Sequence, residues 1–119
     1  MSAAPEELRD RTKGFAIRIV KLYRSLPRAA DAQVVGKQLL RCGTSVAANY
    51  RAACRGRSRA EWIAKIGLVV EEADETVFWL EMPSDCGIVP SQRCEEILKE
   101  AHELSAIFTA TQHTARRAG

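Results

Sequence analysis

Apolar residues in this chain recur at alternating steps of four and three positions, in four separate segments. In the first segment, six residues follow the spacing 4-3-4-3-4: Leu8, Thr12, Phe15, Ile19, Leu22 and Leu26. Because residues three and four apart share one face of a helix, this period predicts amphipathic helices. A half-buried strand needs a period of two, which no segment shows. Four such seams joined by short connections favour an all-α, antiparallel up-down four-helix bundle.

Prolines and glycines predict where the first two helices begin and end. Pro5, followed by two glutamates, suits the first turn of a helix, where acids meet the positive end of the helix dipole. Pro27 is expected to end that helix near Ser25. The second helix is expected over about residues 30–55, with Gly56 as its C-terminal stop.

The second helix contains two internal glycines, Gly36 and Gly43, each costing about 1 kcal/mol relative to alanine. We expect them either to kink the helix or to let a neighbouring helix approach closely. The seam of this helix is predicted to be Val35, Leu39, Cys42, Val46, Asn49 and Ala53. A polar seam residue such as Asn49 is expected to set the register or to bond across helices.

The second half of the chain predicts two further helices. Residues 58–61 (SRAE) form a capping-box sequence that starts the third helix, and Pro83, Asp85 and Gly87 are expected to end it. The fourth helix is expected over about residues 91–114. The predicted inward positions of these two helices are Trp62, Ile66, Val69, Ala73, Val77, Leu80, Cys94, Ile97, Ala101, Leu104, Phe108 and Thr111.

Length and composition indicate one domain in 119 residues. We expect a short tail over residues 1–5, the bundle over residues 6–115 and a frayed basic tail over residues 116–119. No apolar run approaches the roughly 20 residues that span a bilayer, and the N-terminal residues lack signal-peptide features. We therefore expect a cytoplasmic protein without a membrane partner. Apolar side chains beyond the seams, at Tyr23, Phe78 and Trp79, predict self-association.

The chain has few residues in patterns that bind metals or catalyse reactions. Its four cysteines contain no C-x-x-C pair, and Cys42, Cys54 and Cys94 are expected to be small buried residues. No glutamate has a histidine three residues on, so a di-metal carboxylate site is not expected. No nucleophile and base are suitably placed. We expect a non-enzymatic protein without a cofactor.

Between Ala32 and Ala60 the chain has six cationic residues and no acidic one, although its net charge is only +3. At about 100° per residue, four of these cations project within roughly 80° of one another, opposite the apolar seam. We call these four the basic stripe: Lys37, Arg41, Arg51 and Arg55. Successive cations on one helix face can neutralise phosphates, with Arg57, Arg59 and Lys65 flanking them. The stripe holds no aromatic residue, so phosphate contact without sequence readout is predicted.

Two other roles for the basic stripe are compatible with the sequence. The arginines could form ion pairs with the acidic outer face of the third helix, within or between subunits: Glu71, Glu72, Asp74 and Glu75. Alternatively, the chain could be a structural or adaptor protein whose stripe meets an acidic protein surface, for example on a polymerase. The nucleic acid could be RNA or DNA.

Five segments resemble a known bacterial family. They are residues 11–16 (RTKGFA), 36–53 (GKQLLRCGTSVAANYRAA), 60–65 (AEWIAK), 71–76 (EEADET) and 79–81 (WLE). They are similar to the four-helix-bundle proteins encoded within intervening sequences of large-subunit ribosomal RNA genes. Those proteins are related to the accessory variability protein of diversity-generating retroelements. The resemblance extends from about Leu8 to Phe108; Cys42 stands where the family usually has serine, and Pro83 where the third helix would continue.

This resemblance implies a bundle that assembles as a homopentameric barrel. From the retroelement relatives it also implies a basic surface that binds nucleic acid and contacts a reverse transcriptase. It implies no enzymatic activity.

Overall fold

A computed structural model describes residues 4–118; residues 1–3 and 119, which belong to the predicted tails, lie outside the described residues. The four α-helices are α1 (Pro5–Ser25), α2 (Ala30–Cys54), α3 (Arg59–Asp85) and α4 (Glu95–Arg117), with one 3-10 turn at Ser91–Arg93. Over residues 4–118 the chain contains no strand, so the all-α prediction is confirmed. The helices form a bundle of 47 × 23 × 20 Å.

Each helix packs mainly on the next one in the chain, and the interface between α1 and α4 is much smaller. The predicted seam of the first segment is confirmed, since all six of its residues are buried. Thr12 can lie there because its Oγ1 donates a 2.7 Å hydrogen bond to the carbonyl of Leu8. A buried hydroxyl without a partner would destabilise the core.

The internal glycines of α2 allow α1 and α2 to approach closely. A Cβ on Gly43 would lie 2.8 Å from Cγ1 of Ile19, and one on Gly36 would lie 2.8 Å from Cδ1 of Tyr23. Both distances are shorter than real carbon contacts. α2 is one uninterrupted helix around them, so close approach is the expectation that the structure confirms.

The core of α2 differs from its predicted seam at one position. Asn49 is half-buried, and Tyr50 beside it is 1% exposed. The Tyr50 ring packs against Phe108 of α4, with centroids 5.1 Å apart, and against Trp62 of α3 at 6.4 Å. Burying a large aromatic ring gains more than burying an amide, so the helix turns Tyr50 inward. A similar exchange occurs in α3, where Thr76 is buried and Val77 is half-buried.

The ends of α3 follow the predicted signals with two adjustments. Ser58 Oγ accepts a 3.1 Å hydrogen bond from the backbone N–H of Glu61, while the Glu61 carboxylate accepts from Arg57 N at 3.4 Å instead of from Ser58. At the other end, α3 continues through buried Pro83 to Asp85. Gly87 then turns the chain with φ +70°, a conformation that favours glycine after a helix.

The fourth helix is displaced by a few residues from its predicted bounds. Residues Ser91–Arg93 form the 3-10 turn, α4 begins at Glu95, and it continues three residues beyond Thr114 to Arg117. Its predicted inward positions are buried, except that Thr111 is half-buried. In the described part of the chain, every helix is too short or too polar to cross a membrane.

Candidate nucleic-acid interface

The structure divides the basic stripe of α2 between its two neighbouring helices. Arg41 lies at the α3 edge, where its guanidinium hydrogen-bonds Glu75 and lies 3.6 Å from a carboxylate oxygen of Glu72. Gln38 also accepts from it at 3.0 and 3.2 Å. The hydrogen bond to Glu75, followed by the charges of Glu75 and Glu72, raises the pKa of Arg41. For Arg41, the structure therefore agrees with the alternative that the stripe pairs with the acidic face of the third helix.

Arg51 and Arg55 instead lie toward α1. Together with Arg9 and Lys13 they line an open groove of about 710 Å³ between α1 and α2. We call it the basic groove, and its lining residues are Arg9, Asp10, Lys13, Thr44, Ala47, Ala48, Arg51 and Arg55. Four cations and one acid thus share the groove.

Helical spacing explains how the chain builds this groove. Arg9 and Lys13 are four residues apart on α1, and Arg51 and Arg55 have the same spacing at the end of α2. Each pair therefore forms a short row about 6 Å long, at 1.5 Å per residue. The rows face each other because Gly43 lets α2 pack closely on α1. The short side chains of Thr44, Ala47 and Ala48 leave the space between the rows open.

Nearby carboxylates neutralise little of the groove's charge. In the described residues, no carboxylate lies within ion-pair distance of Lys13, Arg51 or Arg55. Arg9 is 3.9 Å from Glu6, and both side chains are exposed, so this pair is weak. The groove is therefore a local positive field that attracts anions. Arg51 also offsets the negative end of the α2 dipole, which is a structural role.

The other predicted site residues lie elsewhere. Lys37 is exposed on α2, seven residues before Thr44 and so about 10 Å along the helix axis from it. Arg59 donates a 2.6 Å hydrogen bond to the carbonyl of Ala115, in the last turn of α4. Arg57 is exposed in the connection between α2 and α3, and Lys65 is half-buried on α3. Of the seven predicted residues, the groove brings together Arg51 and Arg55.

Two cations of the groove, Arg9 and Lys13, were not predicted from the sequence. Their four-residue spacing on the outer face of the first helix is a visible signal. This spacing alone does not predict the groove, because the sequence does not show which face of α1 lies next to Arg51 and Arg55. Among residues 4–118 we find no cluster of three histidine, cysteine or acidic side chains with metal-binding geometry.

The fold and groove define an all-α protein class: a four-helix bundle with a cationic groove between its first two helices. The family described as 23S rRNA-intervening sequence protein matches residues 7–110, so the chain belongs to that family. The resemblance noted from the sequence is thereby confirmed.

A solved structure is similar over most of its length. It is a protein of unknown function from the S23 ribosomal protein family of Bacteroides thetaiotaomicron. The two structures superpose with a TM-score of 0.81 at 35% sequence identity, covering 87% of this chain and 96% of the other. No curated protein matches the chain.

Proposed function

We propose that this chain is a non-enzymatic nucleic-acid-binding protein that contacts the phosphate backbone through its basic groove, with little sequence readout. One observation carries the proposal: Arg9, Lys13, Arg51 and Arg55 line one groove, and among the described residues only Arg9 has a carboxylate within ion-pair distance. Lys37 on α2 and Arg57 in the following connection are further exposed cations outside the groove lining. The family description, which refers to ribosomal RNA, is compatible with this role.

The physical basis is counterion release. Each phosphate that a lysine or arginine neutralises frees condensed cations, so affinity falls as salt rises. Four contacts predict a slope of roughly −3 to −4 for log K against log salt on a duplex. Guanidinium groups suit phosphate because their planar fork donates two parallel hydrogen bonds.

The proposal includes self-association as a homopentamer, as the family resemblance implies. Among residues 4–118, four large apolar side chains are exposed on the single chain: Ile17, Val34, Leu68 and Phe78. Covering them between copies would bury apolar surface, and several grooves in one assembly would strengthen binding by avidity. Light scattering tests this part, since a mass near the monomer's 13.2 kDa would contradict it.

The main experiment measures binding of labelled RNA and DNA across a salt series. The test variant is Arg51→Ala/Arg55→Ala, and the matched control is Arg18→Ala. Arg18 is an exposed cation on α1, about 140° around the helix from Lys13 and outside the groove lining. We expect wild type and control to bind with similar slopes, and the double variant to lose affinity and about two units of slope.

The proposal fails if wild type shows no salt-dependent binding, or if the double variant binds as wild type does. Circular dichroism and light scattering on each variant exclude loss of folding or assembly as the cause.

A protein-interaction adaptor is the second candidate, for instance a subunit that docks on a reverse transcriptase. The observation that favours it is Phe78, which is 51% exposed and packs edge-on against Trp79 with centroids 4.9 Å apart. Exposed aromatic side chains are common anchors of protein interfaces. Absence of nucleic-acid binding at low salt would favour this role over the first.

A further inference from the structure

The lining of the basic groove contains no aromatic ring on which a base can stack. Its lining consists of four cations, one carboxylate, one hydroxyl and two methyl groups. Tyr50, the aromatic residue of α2 beside this lining, is 1% exposed in the core. Proteins that hold single strands generally combine cations with exposed aromatic rings, because stacking offsets the cost of ordering the strand. Without an aromatic ring, this lining favours contacts with sugar and phosphate.

A double helix suits such a groove better than a single strand does. Its bases are already paired and stacked, so backbone contacts need not offset the ordering of a flexible chain. Its charge density is also higher, and each neutralised phosphate therefore releases more counterions than on a single strand. The sugar–phosphate backbone forms a ridge on the outside of a duplex, where it is accessible to the cations that line the groove.

The single carboxylate of the groove, Asp10, is a group to which RNA and DNA offer different partners. Asp10 lies among four cations, yet in the described part of the chain no cation is within ion-pair distance of it. A carboxylate repels phosphate, but it accepts hydrogen bonds from hydroxyl groups. RNA carries such a donor, the 2′-hydroxyl, on every sugar, and DNA lacks it.

Thr44 adds a second acceptor to the groove. Its Oγ1 donates to the carbonyl of Leu40 at 2.7 Å, so the hydroxyl hydrogen is already used. The oxygen lone pairs are left to accept from a ligand.

We infer that the basic groove takes the backbone of double-stranded RNA, with Asp10 accepting a hydrogen bond from a ribose 2′-hydroxyl. This inference rests on the proposed function and names the ligand of the same site.

The experiment compares three labelled probes at one salt concentration: an RNA duplex longer than the 47 Å bundle, a DNA duplex of the same sequence and one strand of the RNA. We expect the RNA duplex to bind tightest. The variants are Asp10→Ala, which removes the acceptor, and Asp10→Asn, which removes the charge but keeps a carbonyl acceptor. The measured quantity is the ratio of the DNA to the RNA dissociation constant.

Asp10→Ala should lower this ratio by about three- to tenfold, the worth of one ordinary hydrogen bond. Asp10→Asn should retain most of the preference. Because the ratio cancels the loss of repulsion toward phosphate, it isolates the hydroxyl contact. Equal binding of duplex and single strand, equal binding of RNA and DNA, or a ratio that Asp10→Ala leaves unchanged would overturn the inference.

These failures differ from failure of the proposed function. In each of them the protein still binds nucleic acid with a salt slope that depends on Arg51 and Arg55. The proposed function itself fails when that dependence is missing.

Discussion

Arg11 on α1 holds Glu100 on α4 through two parallel hydrogen bonds, 2.7 Å from Nε and 2.8 Å from a terminal nitrogen. The same terminal nitrogen donates to Glu103 at 2.7 Å. The hydrogen bond to Glu100 is the main cause that raises the pKa of Arg11, so the guanidinium is charged at every practical pH. This contact lies in the smallest interface between two α-helices of the bundle, that of the first and the last helix.

Replacing Arg11 should destabilise the bundle. We expect Arg11→Ala to lower the free energy of unfolding by roughly 1–2 kcal/mol, because three charge-assisted hydrogen bonds, two to Glu100 and one to Glu103, are lost at a partly exposed site. Arg11→Lys should recover only part of this loss, since an ammonium lacks the planar fork. Urea unfolding measures both, with Arg18→Ala as the control cation on the same helix. An equal loss in the control would contradict the specific role of Arg11.

The two glycine environments predict opposite effects of a methyl group. Gly43→Ala places a Cβ 2.8 Å from Ile19 in the core, and overpacking of this kind costs about 1–3 kcal/mol. Gly14→Ala on α1 meets no atom within 4 Å, so it should stabilise by up to about 1 kcal/mol through helix propensity. Thermal unfolding of both variants checks the signs. Stabilisation by Gly43→Ala would show that α1 and α2 are packed less closely than described.

The cysteines should differ in reactivity. Cys86 is exposed, Cys54 is half-buried, and Cys42 and Cys94 are buried. Burial raises the pKa of the Cys42 thiol, against an opposing hydrogen bond with Thr76, and burial likewise raises the pKa of Cys94. Since the thiolate is the reactive form, a disulfide reagent at pH 8 should label Cys86 first and Cys42 and Cys94 only with unfolding. Rapid labelling of a Cys86→Ser variant at Cys42 or Cys94 would contradict this order.

The same shifts predict how stability depends on pH. The buried thiols favour the protonated form in the folded state, so their contribution is complete below the ordinary thiol range of about 8 to 9. It is lost as pH rises through the raised folded values. The free energy of unfolding should therefore fall above about pH 9, and less so in a Cys42→Ala/Cys94→Ala variant. If the variant loses stability to the same extent, the loss would be due to other groups. One such group is Tyr50, because burial raises its pKa as well.

Arg41 and Arg51 should contribute unequally to binding, although the sequence places them on one stripe. Arg41 is engaged by Glu72 and Glu75, whereas Arg51 has no carboxylate within ion-pair distance in the described residues. We expect Arg51→Ala to lower the salt slope by about one unit and Arg41→Ala to lower it by much less. Salt titrations of the two single variants decide this. If Arg41→Ala lowers the salt slope more than Arg51→Ala does, the binding site lies at the α3 edge of the stripe instead of in the basic groove.

The sequence by itself determined the four helices and most of their buried faces. The period of apolar residues is a local property, so Ile19 and Leu39 can be assigned to the core without knowing their neighbours. Glycine at two seam-adjacent positions of α2 was compatible with either a kink or a close helix contact, and the structure shows the close contact. At Asn49 and Tyr50 the period was ambiguous, because a rotation of about 100° exchanges neighbouring residues and packing against Phe108 decides between them.

Only the tertiary structure decided which cations form the groove. A helix projection gives angles about one axis, but it does not show where the neighbouring helices lie. Arg41 forms ion pairs with the acidic residues of α3, whereas Arg51 lies with Arg9 in the groove between α1 and α2. The placement of Arg51 beside Arg9 depends on the register in which Ile19 packs on Gly43. Register is set by side-chain shapes on two segments far apart in the chain, and a pattern within either segment cannot contain it.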